Sequence, residues 1–196
     1  MDDEAMVVAS GLLNVVDSIE NPNTKALALN AYAWAYRDAD PATAYDVGLR
    51  AIKVAHDSGN RFMESTISIG LSRLAVNHGE PMEAIDYLVL AIRNYQDSGS
   101  FLLVTGPLSM IAVLLDRFGR HEPAATIMGF GDVPSSRQVF PEVDSAITHL
   151  REVLGDQTYE SLALVGADMT TAAMAAYAFD QIDQLRASLD QSADRS

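Results

Sequence analysis

The chain contains no cysteine. Disulfides and thiolate–metal sites are therefore excluded, and a reducing, cytoplasmic setting is the expectation. Lysine is nearly absent too: of 13 basic residues only Lys25 and Lys53 are lysines. Neither stands in a glycine-rich loop followed by Ser or Thr, so the chain has no phosphate-binding loop of the ATPase kind. Basic charge is scarce against 27 acidic residues, and the net charge is −14. Such a surface repels phosphate backbones and anionic lipid, so no direct nucleic-acid or membrane partner is expected. Long apolar runs are missing. IAVLL at 111–115 is among the longest, far short of a bilayer span. The opening MDDEAMVVAS has neither the basic start nor the apolar stretch of a signal peptide. Alternating β-branched runs bounded by turns are almost absent, which argues against a sheet.

Helical spacing fills the space these absences leave. Apolar residues are 48% of the chain, rich in Ala, Leu and Met, which favour helix. The periodicity predicts helices near 4–18, 24–38, 41–57, 61–78, 81–97, 101–118, 121–130, 142–154, 156–165 and 170–189. Pro41 and Pro81 fit helix starts, where a missing N–H costs nothing. Gly59, Gly79, Gly99, Gly119 and Gly155 fit helix ends, and Thr170 fits an N-cap.

A displacement of about 40 residues brings the chain onto itself. Asp17, Asp57 and Asp97 align, as do Ser18, Ser58 and Ser98. Ala44, Ala84 and Ala124 align, Asp40-Pro41 falls on Glu80-Pro81, and Ala51-Ile52-Lys53 falls on Ala91-Ile92-Arg93. A two-helix period of this length predicts an all-α, right-handed α-solenoid. The expected plan is a single domain: an N-terminal capping helix at 1–19, three helix pairs over 20–130, a loop at 131–141, and capping helices at 142–190.

HGEPMEAIDYLVLAI, from His78 to Ile92, resembles the second half of a tetratricopeptide repeat. Gly79 stands at the turn, Ala84 and Ala91 at the small packing positions, and Leu88 at the large one. The first half is degenerate, with Ser68, Leu71, Ser72 and Ala75 where Trp, Leu, Gly and Tyr are usual. The segment from Arg120 to Leu189 resembles the closing region of large bacterial signalling ATPases of the LuxR and adenylate-cyclase-linked type. The matching positions are Ala124, Ala125, Gly129, Leu150, Leu154-Gly155, Tyr159, Gly166, Met169-Thr170, Ala173 and Tyr177-Ala178. The chain carries no nucleotide module, cyclase module or helix-turn-helix. The resemblance thus implies a repeat region that senses a partner, non-catalytic in itself, and either part of such a regulator or a stand-alone relative. The alternative is a tetratricopeptide-type peptide-binding adaptor with no ATPase attached. An enzyme with an unfamiliar helical site is the third reading.

The residues give that third reading little. His56, His78, His121 and His149 are never three or four apart, so no single helix presents two ligands on one face. Glu80, Glu83 and Asp86 suit a helix start, where negative charge complements the dipole. GFGD at 129–132 lacks the third glycine and preceding strand of a dinucleotide loop. No metal, cofactor or catalytic residue is expected.

The tetratricopeptide resemblance implies partner binding on the inner face of the first helix of each pair. In the middle pair those positions are Thr66, Ile69, Arg73, Val76 and Asn77. In the first they are Ala26, Leu29, Ala33, Tyr36 and Arg37, and in the third Gly106, Ser109, Val113, Asp116 and Arg117. Arg37, Arg73 and Arg117 would form a cationic stripe for a protein or peptide presenting acidic groups or a free C-terminal carboxylate. Tyr36 would anchor an apolar side chain, and Asn77 would bond the partner's backbone. The competing reading is that the arginines neutralise helix C-terminal carbonyls. The apolar face of 170–189 would also suit a homodimer.

Overall fold

The structure, a computed structural model, describes residues 3–77 and 81–193. Among these residues there are eleven α-helices, two 3-10 turns and no strand. None of the described helices is long and apolar enough to cross a membrane. The chain divides into two compact units, Met1–Ser98 and Gly99–Ser196.

The first unit holds α1 (Asp3–Val15), a 3-10 turn (Val16–Ser18), α2 (Pro22–Tyr36), α3 (Pro41–Asp57), α4 (Arg61–Asn77) and α5 (Pro81–Asp97). Each helix packs on its successor, and α2 also touches α4. The starts follow local chemistry. Asn21 accepts backbone N–H groups of Asn23 and Thr24 with Pro22 behind it, which begins α2 two residues earlier than periodicity suggested. Asp40 accepts from Thr43 N at the start of α3, and its hydrogen bonding with Thr43 holds its carboxyl below the usual range. The helices α3 and α5 are both 17 residues long and begin with proline 40 positions apart, as the internal repeat requires. Gly59 and Gly99 close the two pairs at φ of 69° and 71°, a conformation that favours glycine. Gly79 lies outside the described residues.

Packing explains the small residues. Ala44, Ala84 and Ala124 are each the fourth residue of a helix, and all three are fully buried. Ala51 and Ala91, two turns on, are buried as well. The positions where the tetratricopeptide pattern is degenerate are core positions: Ser68, Leu71, Ser72 and Ala75 are all inaccessible. Ser65, Ser68 and Ser72 donate to carbonyls of their own helix, which satisfies their hydroxyls without a partner across the interface. Glu64 of α4, also buried, ties three helices together: it accepts from Asn94 of α5 at 2.9 Å and meets His56 of α3 at 2.8 Å.

The second unit holds a 3-10 turn (Phe101–Val104), α6 (Thr105–Arg117), α7 (His121–Gly131), α8 (Pro134–Val139), α9 (Glu142–Leu154), α10 (Asp156–Ala167) and α11 (Thr171–Ala193). A single helix over 101–118 was expected. Pro107 has no N–H to close the preceding turn, so the regular helix starts only at Thr105, with the proline in its first turn. The expected loop at 131–141 contains α8. Pro134 opens it, and Arg137 pins it by bonding Asp132 and Asp144. Thr170 caps α11 through Ala173 N, as its position suggested.

The sequence reading set three helix pairs in one domain, but contacts group two pairs in the first unit and the third, α6 and α7, in the second. Within that unit α6 is buried from Pro107 to Asp116, and α7, α9 and α11 all pack on it. The apolar stripe of α11 is not open to a second copy. Met174, Ala175, Ala178, Ile182 and Leu185 are buried, and the helix packs against α6 and α7. Tyr177 and Phe179 of the same helix are half-buried.

The helices α7 and α10 cross antiparallel with almost no side chain between them. A Cβ on Gly166 would stand 1.8 Å from the carbonyl oxygen of Thr126. A Cβ on Gly129 would stand 2.0 Å from that of Ala163. The two glycines are the reason the helices reach backbone contact.

Candidate functional site

The sole tryptophan, Trp34, lies in the last turn of α2, half-buried. Arg37, three residues on, ends that helix and donates from Nη1 to Trp34 O at 2.6 Å, which folds its guanidinium back over the indole at 5.2 Å from the ring centroid. Arg73 of α4 reaches the same ring from the neighbouring helix, at 5.6 Å. Each contact is worth about 0.5–2 kcal/mol, rising as water is excluded. Gly70 lies against the indole, where a Cβ would meet Trp34 Nε1 at 3.4 Å, an ordinary contact distance.

These residues border an open cleft between α2, α3 and α4. Asn30, nearly buried, lies on its α2 wall, and Gly48 and Leu71 form the floor. The enclosed part is only about 10 Å³, room for roughly one water and too little to enclose a small molecule. Arg37 also meets Asp38 at 3.5 Å, but Asp38 is 64% exposed, and such solvent-facing pairs contribute about 0–1 kcal/mol. A ligand carboxylate can compete with it.

The remaining expected partner-binding residues are scattered. Tyr36 is turned away from the cleft. It stacks on Tyr32 at 4.3 Å, and its hydroxyl donates to Met6 O of α1 at 3.1 Å, because the N-terminal helix packs on α2 and takes the face assigned to a partner. Ala26 and Leu29 are buried in one cluster with Ala9 and Val16 for the same reason. Thr66 is half-buried with its hydroxyl on Phe62 O, and Ile69 is half-buried on α4. Asn77 ends α4, and its side chain lies outside the described residues. Ser109 is a correction. It is fully buried, with its hydroxyl 2.7 Å from Gly131 O and 2.8 Å from Thr105 O, because α7 covers that side of α6. Ser109→Ala should cost about 1 kcal/mol in thermal unfolding by removing one hydrogen bond to the Gly131 carbonyl, which keeps its bond from Val133 N at 2.9 Å. Arg117 is exposed and lines a separate groove in the second unit. Of the three expected arginines, Arg37 and Arg73 of the first unit meet on one ring, and Arg117 belongs to the second unit.

Compared with family models, curated proteins and solved structures, the chain finds no match. The geometry must speak for itself.

The groove beside Arg117 borders a second constellation. Asp116, at the end of α6, is 7% exposed and receives two imidazoles. His121, which opens α7, brings Nδ1 to 2.9 Å from Asp116 Oδ1. His149 of α9 brings Nδ1 to 3.0 Å from Oδ1 and 2.9 Å from Oδ2. The rings meet edge to face at 5.5 Å. Sequence reading set both histidines aside because no helix carries two ligands at the right spacing. The fold supplies what spacing could not, by converging three helices. The one local signal was Asp116 five residues before His121, across a turn closed by Gly119 at φ 72°. Trp34 was not among the expected site residues, and its i,i+3 relation to Arg37 was the signal that could have found it.

Proposed function

We propose that this chain is a helical-repeat interaction module, non-catalytic in itself, that holds a partner segment in the cleft around Trp34. On this reading α2/α3 and α4/α5 are tetratricopeptide-like pairs of a right-handed solenoid, and the cleft lies where their first helices touch. The resemblance of 120–189 to the closing region of LuxR-type and cyclase-linked signalling ATPases supports a place in bacterial transcriptional signalling. A stand-alone adaptor would use the same cleft in the same way.

The observation that carries the reading is the pair of guanidiniums on one indole, at the mouth of an open cleft on a chain of net charge −14. Concentrated positive charge on such an acidic molecule selects a carboxylate, and arginine forks bind it bidentately. The enclosed room is too small for a cofactor, while an extended peptide needs only a narrow seat.

Trp34 is also the reporter, since no other tryptophan contributes to emission. Titration with a short acidic peptide bearing a free C-terminus should change its fluorescence saturably. The amidated, lysine-bearing counterpart should leave it unchanged. The double variant Arg37→Glu/Arg73→Glu should weaken binding about 100-fold, since two charge-assisted hydrogen bonds at about 1.5 kcal/mol each are lost. Circular dichroism should be unaltered. Binding of the acidic peptide that survives the reversal removes the reading.

A further inference from the structure

We infer that Asp116, His121 and His149 form a three-ligand site for a divalent transition metal of the Zn²⁺ type. One ligand atom from each residue lies within 4.8 Å of the others, and the three come from three different helices. Two neutral imidazole nitrogens and one carboxylate oxygen are a donor set that suits zinc, copper, nickel or iron rather than magnesium or calcium. Both rings turn Nδ1, the same nitrogen, toward one carboxylate. A metal would enter where those two N–H groups now point.

The dimensions allow it. Zinc bonds imidazole nitrogen at about 2.0–2.1 Å and carboxylate oxygen at about 2.0–2.2 Å, and a tetrahedral site spreads such ligands to roughly 3.3 Å apart. The nitrogens lie 2.9–3.0 Å from the carboxylate oxygens, a few tenths of an ångström inside that spacing, and the three ligand atoms together span no more than 4.8 Å, so the two imidazoles would draw toward each other around an ion. Exposure is graded in the useful direction: side-chain accessibility rises from 7% at Asp116 through 27% at His121 to 49% at His149. A buried anion forms the base, and the most accessible imidazole faces the way in.

A second feature points to the same place. An open groove of about 280 Å³ runs beside the cluster, lined by Val113, Asp116, Arg117, Glu142, Ser145 and His149. It gives an ion a path from solvent and leaves room for a water or an anionic partner group at the remaining coordination position. Arg117 and Glu142 border it with opposite charges. Three protein ligands with one position open is the arrangement of an exchangeable site rather than a closed structural one.

The test uses the whole chain, stripped with EDTA and titrated with Zn²⁺ alone by calorimetry, with Co²⁺ as a spectroscopic stand-in. The expected result is one strong site per chain, a melting temperature that rises with Zn²⁺ and falls back on EDTA, and a Co²⁺ visible band of four-coordinate intensity. His149→Gln, at the half-exposed position, should fold normally and weaken binding about tenfold or more. His121→Gln/His149→Gln should abolish the Co²⁺ band. Absence of the strong site in the wild type, or equal affinity in the double variant, overturns the assignment. Zinc held only by scattered surface carboxylates would show as that second outcome. Trp34 lies in the other unit, so the peptide response and the metal response can fail independently.

Discussion

Gly166→Ala is expected to destabilise the second unit by more than about 3 kcal/mol, and Gly129→Ala by a similar amount. Overpacking a core typically costs about 1–3 kcal/mol when side chains can rotate away. No such relief exists here. The added methyl at 166 would stand 1.8 Å from the Thr126 carbonyl oxygen, and that at 129 would stand 2.0 Å from the Ala163 oxygen, so backbone would have to move. Separating α7 from α10 also separates each from α9, which packs on both. Thermal unfolding with far-ultraviolet circular dichroism should show either a lower transition or lost helicity from the second unit. Trp34 emission should retain a native first-unit signature. A melting temperature within error of wild type for both variants would show that the crossing is looser than described.

Ala84→Leu carries the next largest effect, about 3 kcal/mol, the upper part of the overpacking range. Ala84 is fully buried in the first turn of α5, where α5 packs on α4, and its neighbours Ile85 and Leu88 are equally inaccessible. Three further carbon atoms have no void to enter. Ala44→Leu should behave alike in α3, because the two alanines occupy the same place in helices 40 residues apart. Chemical denaturation with matched m-values would measure both. If Ala84→Leu is neutral while Ala44→Leu is not, the two pairs are not equivalent in packing.

The helices were largely legible because local chemistry fixed their ends. Pro41 and Pro81 begin helices, Gly59, Gly99, Gly119 and Gly155 follow helix ends with positive φ, and Thr170 caps α11. The errors have local causes that pattern reading underweighted: Pro107 delays α6, and Arg137 organises α8 out of a polar stretch that read as loop. Tertiary choices were not legible in the same way. A 40-residue period shows which residues are equivalent, not whether their exposed faces stay exposed. Thus Tyr36 was claimed by α1 and Ser109 by α7, although each sits at a register position that the tetratricopeptide pattern leaves open. The Arg37–Trp34–Arg73 stack was half visible, since Arg37 and Trp34 share a helix face. Of the Asp116–His121–His149 cluster only the Asp116–His121 spacing was local, and His149 comes from a third helix whose association no spacing encodes.

The meeting of α7 and α10 has a genetic consequence. What each glycine touches is a carbonyl, an atom every amino acid carries. Changing the residue at 126 or 163 therefore cannot make room for a methyl at 166 or 129. The two sites are unlike a matched pair of side chains, where damage on one wall can be repaired by trimming the other. Suppressors of a lesion at either glycine would have to arise elsewhere, by shifting a whole helix along its axis.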